Sequence, residues 1–385
     1  MKRLRHLEGL RGYAALIVVL SHCAMAFWPA LHGVKVPDPI PAWQSLIFNS
    51  PFTFIYNGTV SVYIFFVLSG YVLSVAFFAT GDDESVREKL VRRYFRLAIP
   101  IVTSCLLCFA VWKIGGFNYV DSALPDWIKR FYRPDAALTL PGVFREGLVD
   151  SFLYGKGNYN YVLWTMRIEF FGSILVFANC LLLKGIRFRS AAYLIQAVVG
   201  IYMLKAEEWF YICFFAGMVI ADYRNLVVRW PVSVAMLVVA VYLGGFHNTS
   251  LSYAFLGRSG STGNFCYTVS ACLFLFAALN NNIVIRTLST KLSDFLGSIS
   301  FMLYLTHSVV LSSIGMISFL NLHPVLGYGT AGLVSSIVTV TVSIAVAFMF
   351  RPVDRFAIEL SRQFGLALMS KRQQIVFTPE SASAP

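Results

Sequence analysis

Charge is what this 385-residue sequence has least of: 13% of its residues are charged, and only 19 are acidic against 31 basic. Soluble domains carry about 25% charged residues. Hydrophobic residues make up 57% and the mean hydropathy is +0.68. That little charge cannot cover that much apolar surface in water, which excludes a soluble fold and makes a bilayer the solvent for most of the chain. Cysteine pairing is also missing. The seven cysteines (Cys23, Cys105, Cys108, Cys180, Cys213, Cys266, Cys272) are odd in number, lack any CxxC spacing and sit mostly in apolar runs. This argues against a disulfide framework and against a zinc site, and leaves them as small core residues. There is no phosphate-cradling glycine loop, no internal repeat and no basic face interleaved with stacking aromatics, so the net charge of +12 does not indicate nucleic acid.

What is present is a series of apolar runs between charged or Pro/Gly-rich breaks. They predict an all-α, polytopic membrane protein with about ten spans near 12–30, 52–79, 97–114, 161–183, 190–204, 208–221, 231–246, 265–280, 298–319 and 325–350. Several fall short of the ~20 residues of a perpendicular crossing, so tilt or a partial span is expected between 190 and 280. The cations test this parse, because cytosolic loops carry the excess of Lys and Arg. Lys2, Arg3, Arg5 and Arg11 precede the first span, and Arg87, Lys89, Arg92, Arg93 and Arg96 fill the second cytosolic loop. Lys184, Arg187 and Arg189, then Arg224 and Arg229, then Arg286 and Lys291 continue the alternation, and five more cations follow Phe350. Ten spans with both termini cytosolic satisfies every loop.

The N-terminus mimics a secretory signal, ending in Ala24-Met25-Ala26, but Ser21 and His22 interrupt the apolar stretch and the charge count works with the first span retained. The sequons at Asn57 and Asn248 matter only in a eukaryotic secretory host. After a transmembrane region of residues 1–350, residues 351–385 form a cytosolic tail. In it Val353, Phe356, Leu360 and Phe364 recur at helical spacing among Arg351, Arg355, Arg362, Lys371 and Arg372. This predicts an amphipathic helix on the anionic inner leaflet, followed by a disordered end.

Ionisable residues within spans cost roughly 2.5–3.5 kcal/mol at mid-helix, so each requires a reason. Arg11 and His22 are eleven residues apart, which on a helix is three turns plus about 20°. They therefore share one face, about 16 Å apart along the axis. That places a cation at the cytosolic boundary and a base near or beyond mid-bilayer. Taken singly, each has a plainer reading that comes first, Arg11 as a snorkelling topology anchor and His22 as a hydrogen-bonded core histidine. Glu169 lies one and a half turns into the fourth span and must be protonated or paired with a cation, and Arg167 faces elsewhere, so it reads either as a site residue or as an interhelical polar clamp. His307 follows Tyr304 by one turn on the same face and is either functional or a packing residue.

Together these segments resemble the acyltransferase 3 family of multi-span membrane proteins. The resemblance runs through Leu7-Glu8-Gly9-Leu10-Arg11-Gly12 with the Arg11-x10-His22 spacing, Phe65-Phe66-Val67-Leu68-Ser69-Gly70-Tyr71, and Arg92-Arg93-Tyr94-Phe95-Arg96-Leu97. It continues in Trp164-Thr165-Met166 with Glu169 and closes at Ile299 to His307. Tyr63 stands where the family often has an acidic residue, and Gly172-Ser173 where Phe-Tyr is common.

The resemblance implies transfer of an acyl group, often acetyl, from cytosolic acyl-CoA to a hydroxyl of a sugar or glycoconjugate, with no metal, in a bacterial inner membrane. It implies that Arg11, Arg93 and Arg96 meet the donor's phosphates, as guanidinium forks suit phosphate oxygens. It further implies that His22 is the general base or carries the acyl group transiently, that Glu169 orients it, and that Trp164, Tyr304 and His307 line the substrate site. The aromatic residues Trp127, Tyr132, Tyr154, Tyr159 and Tyr161 of the long outer segment 115–160 offer faces for sugar rings, or form an interfacial belt. A transporter or flippase is the competing reading of the same buried charges. It is weakened by the absence of internal symmetry.

Overall fold

The computed structural model describes residues 5–34, 40–117, 137–204, 208–257 and 259–373. Every regular element among them is helical. The first helices are α1 (Arg5–Phe27), α2 (Ala42–Phe48), α3 (Gly58–Thr80) and α4 (Asp83–Lys113). After the short α5 (Leu140–Arg145) come α6 (Trp164–Leu182), α7 (Arg189–Leu204), α8 (Glu208–Asp222), α9 (Trp230–Gly244) and α10 (Gly260–Asn280). The chain closes with α11 (Asn282–Thr287), α12 (Lys291–Val310), α13 (Met316–Met349) and α14 (Arg351–Gln373). Among the described residues six stretches are long and apolar enough to cross a membrane. The last of them, Lys291–Met369, is interrupted by a π-helical turn at Leu311–Gly315 and by Gly327 at φ +73°.

Several helices depart from their expected bounds: α1 and α12 each begin about seven residues early, at Arg5 and Lys291, and α4 departs most. The basic run Arg87 to Arg96, expected as a loop, forms the first half of α4, which starts where the Asp82 carboxylate accepts the Ser85 N–H at 3.1 Å. A carboxylate at the N-cap and two more in the first turn satisfy and favour a helix N-terminus, so the helix begins well before the apolar run. The tail helix α14 packs along that basic half of α4. Its contacting face is small, with Ala357, Ser361 and Gly365 buried, while Phe356 and Leu360 stay exposed. Phe364 meets Phe95 at 4.3 Å between ring centroids.

Glycines set the closest helix crossings. A Cβ on Gly12 would lie 2.5 Å from the backbone N of Gly297, and one on Gly297 2.5 Å from the Glu8 carbonyl, so α1 and α12 touch backbone to backbone. Small residues permit such contact in a bilayer, where dispersion replaces the hydrophobic effect as the glue between helices. Gly70 of α3 and Gly217 of α8 do the same, their would-be Cβ atoms 2.2 Å from Phe214 O and 2.1 Å from Val67 O.

The bundle has two distinct ends. At one, an Arg5–Asp294 ion pair ties the N-termini of α1 and α12, and Lys184 bonds Gly81 O and Asp83 at the α3–α4 junction. At the other, Tyr56 donates to Leu31 O at 2.8 Å and Asn57 to Gly244 O at 2.8 Å. Six of the seven cysteines are buried, all as free thiols, and Cys272 is half-buried. Of the aromatics expected to face sugar rings, Trp127 and Tyr132 lie outside the described residues. Tyr159 is a brace, donating to Thr139 O at 2.7 Å. Tyr154 is exposed, with the Lys156 ammonium 5.3 Å above its ring.

Candidate active site

α1, α3, α4, α6 and α12 surround a cavity with about 820 Å³ of empty space, counting the part open to solvent. Arg11, Arg93 and Arg96 all line it, as do Glu169 and Tyr304. The remaining wall is mostly apolar, with Val62, Phe65 and Phe66 of α3 and Met166 of α6 among its residues.

Each guanidinium has a carboxylate. Arg93 ion-pairs with Glu169, and its Nε donates to Ser173 Oγ at 2.8 Å. Ser69 Oγ donates to both Glu169 oxygens, at 3.0 and 3.2 Å. Arg96 Nη1 donates to Asp354 Oδ1 at 2.8 Å, with its Cζ 5.4 Å from the Phe301 ring centre. Arg11 Nη1 lies 3.6 Å from Glu8 Oε2 on its own helix. Buried guanidinium and carboxylate groups are costly alone and tolerable in pairs. The pairing also fixes where the planar forks point.

Tyr304 and Thr165 close the deep end of the cavity, their hydroxyls 2.8 Å apart, and Tyr304 also donates to Val162 O at 3.2 Å. One turn further along α12 is His307, fully buried. Its Nε2 lies 3.2 Å from His22 Nδ1, and the Tyr161 ring is 5.3 Å from the His22 ring. The tautomers follow from the carbonyls. His22 Nδ1 is 2.9 Å from Val18 O and His307 Nδ1 is 3.1 Å from Leu303 O. A carbonyl only accepts, so both Nδ1 atoms carry hydrogen. His307 Nε2 is then an acceptor that shares the His22 Nδ1–H with Val18 O, and the lone pair of His22 sits on Nε2.

Glu169, expected at the imidazole of His22, is engaged by Arg93 and Ser69 instead, while the second imidazole of His307 stands beside His22. Trp164 is 41% exposed and packs against Phe210 at 5.4 Å, whereas its neighbours Thr165 and Met166 line the cavity. Sequence reasoning missed Ser69, Ser173 and Asp354. Ser69 lies inside a quoted motif, and Ser173 is one of the two departures from the family pattern. Asp354 carried no signal.

Beyond His22, towards the far end of the bundle, His32 Nε2 donates to Ser21 O at 3.2 Å and its ring is 5.8 Å from that of His247. Burial, and secondarily the like charge His247 would carry, push the His32 pKa down to about 4, so it is neutral at neutral pH. Among the described residues no three His, Cys, Asp or Glu side chains converge as a metal site.

The Acyltransferase domain family matches residues 4–349. An O-acetyltransferase of Phomopsis amygdali, PaAT-1, is 24% identical over 368 residues, covering 80% of this chain and 72% of its own. An acyltransferase of a Phoma species is 20% identical over 396 residues, covering 80% of this chain and 83% of its own. Another, from Cochliobolus lunatus, is 20% identical over 283 residues, 59% of each chain. No solved structure matches. These relatives are fungal and lend no support to the bacterial inner membrane expected from the resemblance. With its apolar helices and a family match over nearly its whole length, the chain belongs to the Acyltransferase domain family and is an integral membrane enzyme of the O-acyltransferase type.

Proposed function

We propose that the protein transfers an acyl group, acetyl in the first instance, from cytosolic acyl-CoA to a hydroxyl of a carbohydrate or glycoconjugate acceptor, with His22 as general base. The observation that carries this reading is the order of groups from the cavity to the histidines that α1 and α12 carry. Three guanidiniums line a cavity whose deep end, Tyr304 and Thr165, adjoins a pair of histidines with a defined basic nitrogen.

The phosphates of the donor meet Arg11, Arg93 and Arg96, and the thioester reaches past Tyr304. His22 Nε2 takes the proton of the acceptor hydroxyl as its oxygen attacks the thioester carbonyl. The thiolate leaves, and the proton passes to it. His307 steadies the resulting imidazolium through the shared Nδ1–H, and such general base catalysis contributes typically 10² to 10⁴-fold. Glu169 serves the donor side by holding Arg93.

The topology proposed with this mechanism has ten crossings and both termini cytosolic. The final apolar stretch counts as two crossings, folding back near Gly327, and α7, α8 and α9 supply three shorter ones. The Arg-lined end of the cavity then opens to the cytosol, where acyl-CoA is.

The test is release of free thiol from acetyl-CoA by purified full-length protein supplied with candidate hydroxyl acceptors. His22→Ala is expected to lower turnover about 10³-fold with the melting temperature preserved, within the range set by loss of a general base. Undiminished transfer by a folded His22→Ala protein would remove the mechanism.

A further inference from the structure

The family match ends at residue 349, yet one of the three carboxylates facing the cavity's guanidiniums comes from beyond it. Glu8 and Glu169, the other two, lie within the matched region. α13 ends at Met349, a single residue, Phe350, turns the chain, and α14 starts at Arg351 with Pro352 in its first turn. Proline there has the fixed φ a helix start needs and no N–H to leave unsatisfied. The turn is pinned where Phe350 O accepts Val353 N–H at 3.0 Å, so Asp354 is carried in on the first turn of a new helix.

α14 is then seated on α4 by a small-residue face. Ala357 is 0% and Ser361 2% exposed, and a Cβ on Gly365 would come within 3.1 Å of Glu88 Cγ. This seat holds Asp354 Oδ1 2.8 Å from Arg96 Nη1, both side chains being a quarter exposed or less. Phe301 of α12 bears on the same guanidinium. Arg96 is thus fixed at two points, and among the described residues its remaining N–H groups have no acceptor. An arginine fixed in place loses less side-chain freedom on binding an anion than one that must first be gathered in.

We propose that Asp354 is a positioning residue for the donor, acting through Arg96, and that the C-terminal helix is part of the donor site rather than an appendage to the membrane domain. The inference rests on the reading of the cavity as an acyl-CoA site.

The test is calorimetric titration of purified full-length protein with CoA. Asp354→Ala is expected to bind CoA about tenfold more weakly, the equivalent of ~1.4 kcal/mol, and Asp354→Glu to stay within about twofold of the original. Arg96→Ala should lose as much, and the double variant no more than either single one, because both changes remove one unit. Asp354→Asn keeps the shape and one acceptor oxygen and serves where the alanine variant fails to fold; an affinity loss of several-fold is expected of it too. Binding equal to or tighter than the original in either variant overturns the proposal, as do losses that add in the double variant. Failure of the unsubstituted protein to bind CoA would instead overturn the donor reading, which separates the two failures.

Discussion

The carboxylate of Glu169 is gripped from two neighbouring helices, by Ser69 of α3 and Arg93 of α4, and that grip decides what its loss should do. Glu169→Gln keeps an acceptor for Ser69 and Arg93 but removes the charge opposite a largely buried guanidinium. If Glu169 works through Arg93, KM for the donor rises about tenfold while kcat stays within about twofold, the pattern of lost uniform binding. A fall in kcat with unchanged KM would return Glu169 to the imidazole, and the kinetic constants of the purified variant decide between the two. Arg11 and His22 were legible as a pair because both lie on one helix, where residue spacing alone fixes the relative direction. Glu169 was legible as a buried charge in need of a cation. Its partner was not, since Arg93 lies 76 positions away and only the packing of α4 on α6 joins them. Asp354 was the least visible of all, an acid in a basic tail whose visible pattern was the apolar stripe that stays exposed.

Between α1 and α12 the contact is backbone on backbone. Gly12→Ala adds a methyl 2.5 Å from Gly297 N, an atom that cannot swing aside. The helix gains up to ~1 kcal/mol in propensity, and overpacking costs typically 1–3 kcal/mol and more where backbone must move. The clash outweighs the propensity, so the melting temperature of the purified variant should fall and thiol release should fall with it. Gly200→Ala in α7 is the control, because a Cβ there meets nothing within 4 Å; it should be neutral or slightly stabilising. Equal melting temperatures for the two variants would contradict this account of the crossing. The apolar runs marked most of the long helices correctly in place. They failed at α4, whose first half is helical through capping and packing against α14, and neither effect leaves a hydropathy signal.

At the scale of the whole molecule, residence in a membrane followed from composition, because no other solvent accommodates so little charge, and all-helical architecture from the length of the apolar runs. What composition could not convey is which helices belong together mechanically. The glycine crossings and the Arg5–Asp294 pair bind α1 to α12 along their length, and these two helices carry Arg11 at one level and His22 with His307 at another. On the proposed mechanism they make a rail, with the donor's anchor and the reacting base mounted on two helices packed backbone to backbone. The rest of the cavity wall is supplied by α3, α4 and α6. A short bifunctional reagent joining cysteines placed at Arg5 and Asp294 should leave turnover within about twofold, because the covalent link only replaces an exposed, weakly stabilising ion pair. If acyl-CoA is the donor, as proposed, the rail works as a ruler: the distance from Arg11 to His22 sets how long an arm the donor must have, so shortening the pantetheine portion should abolish transfer even where the phosphates still bind.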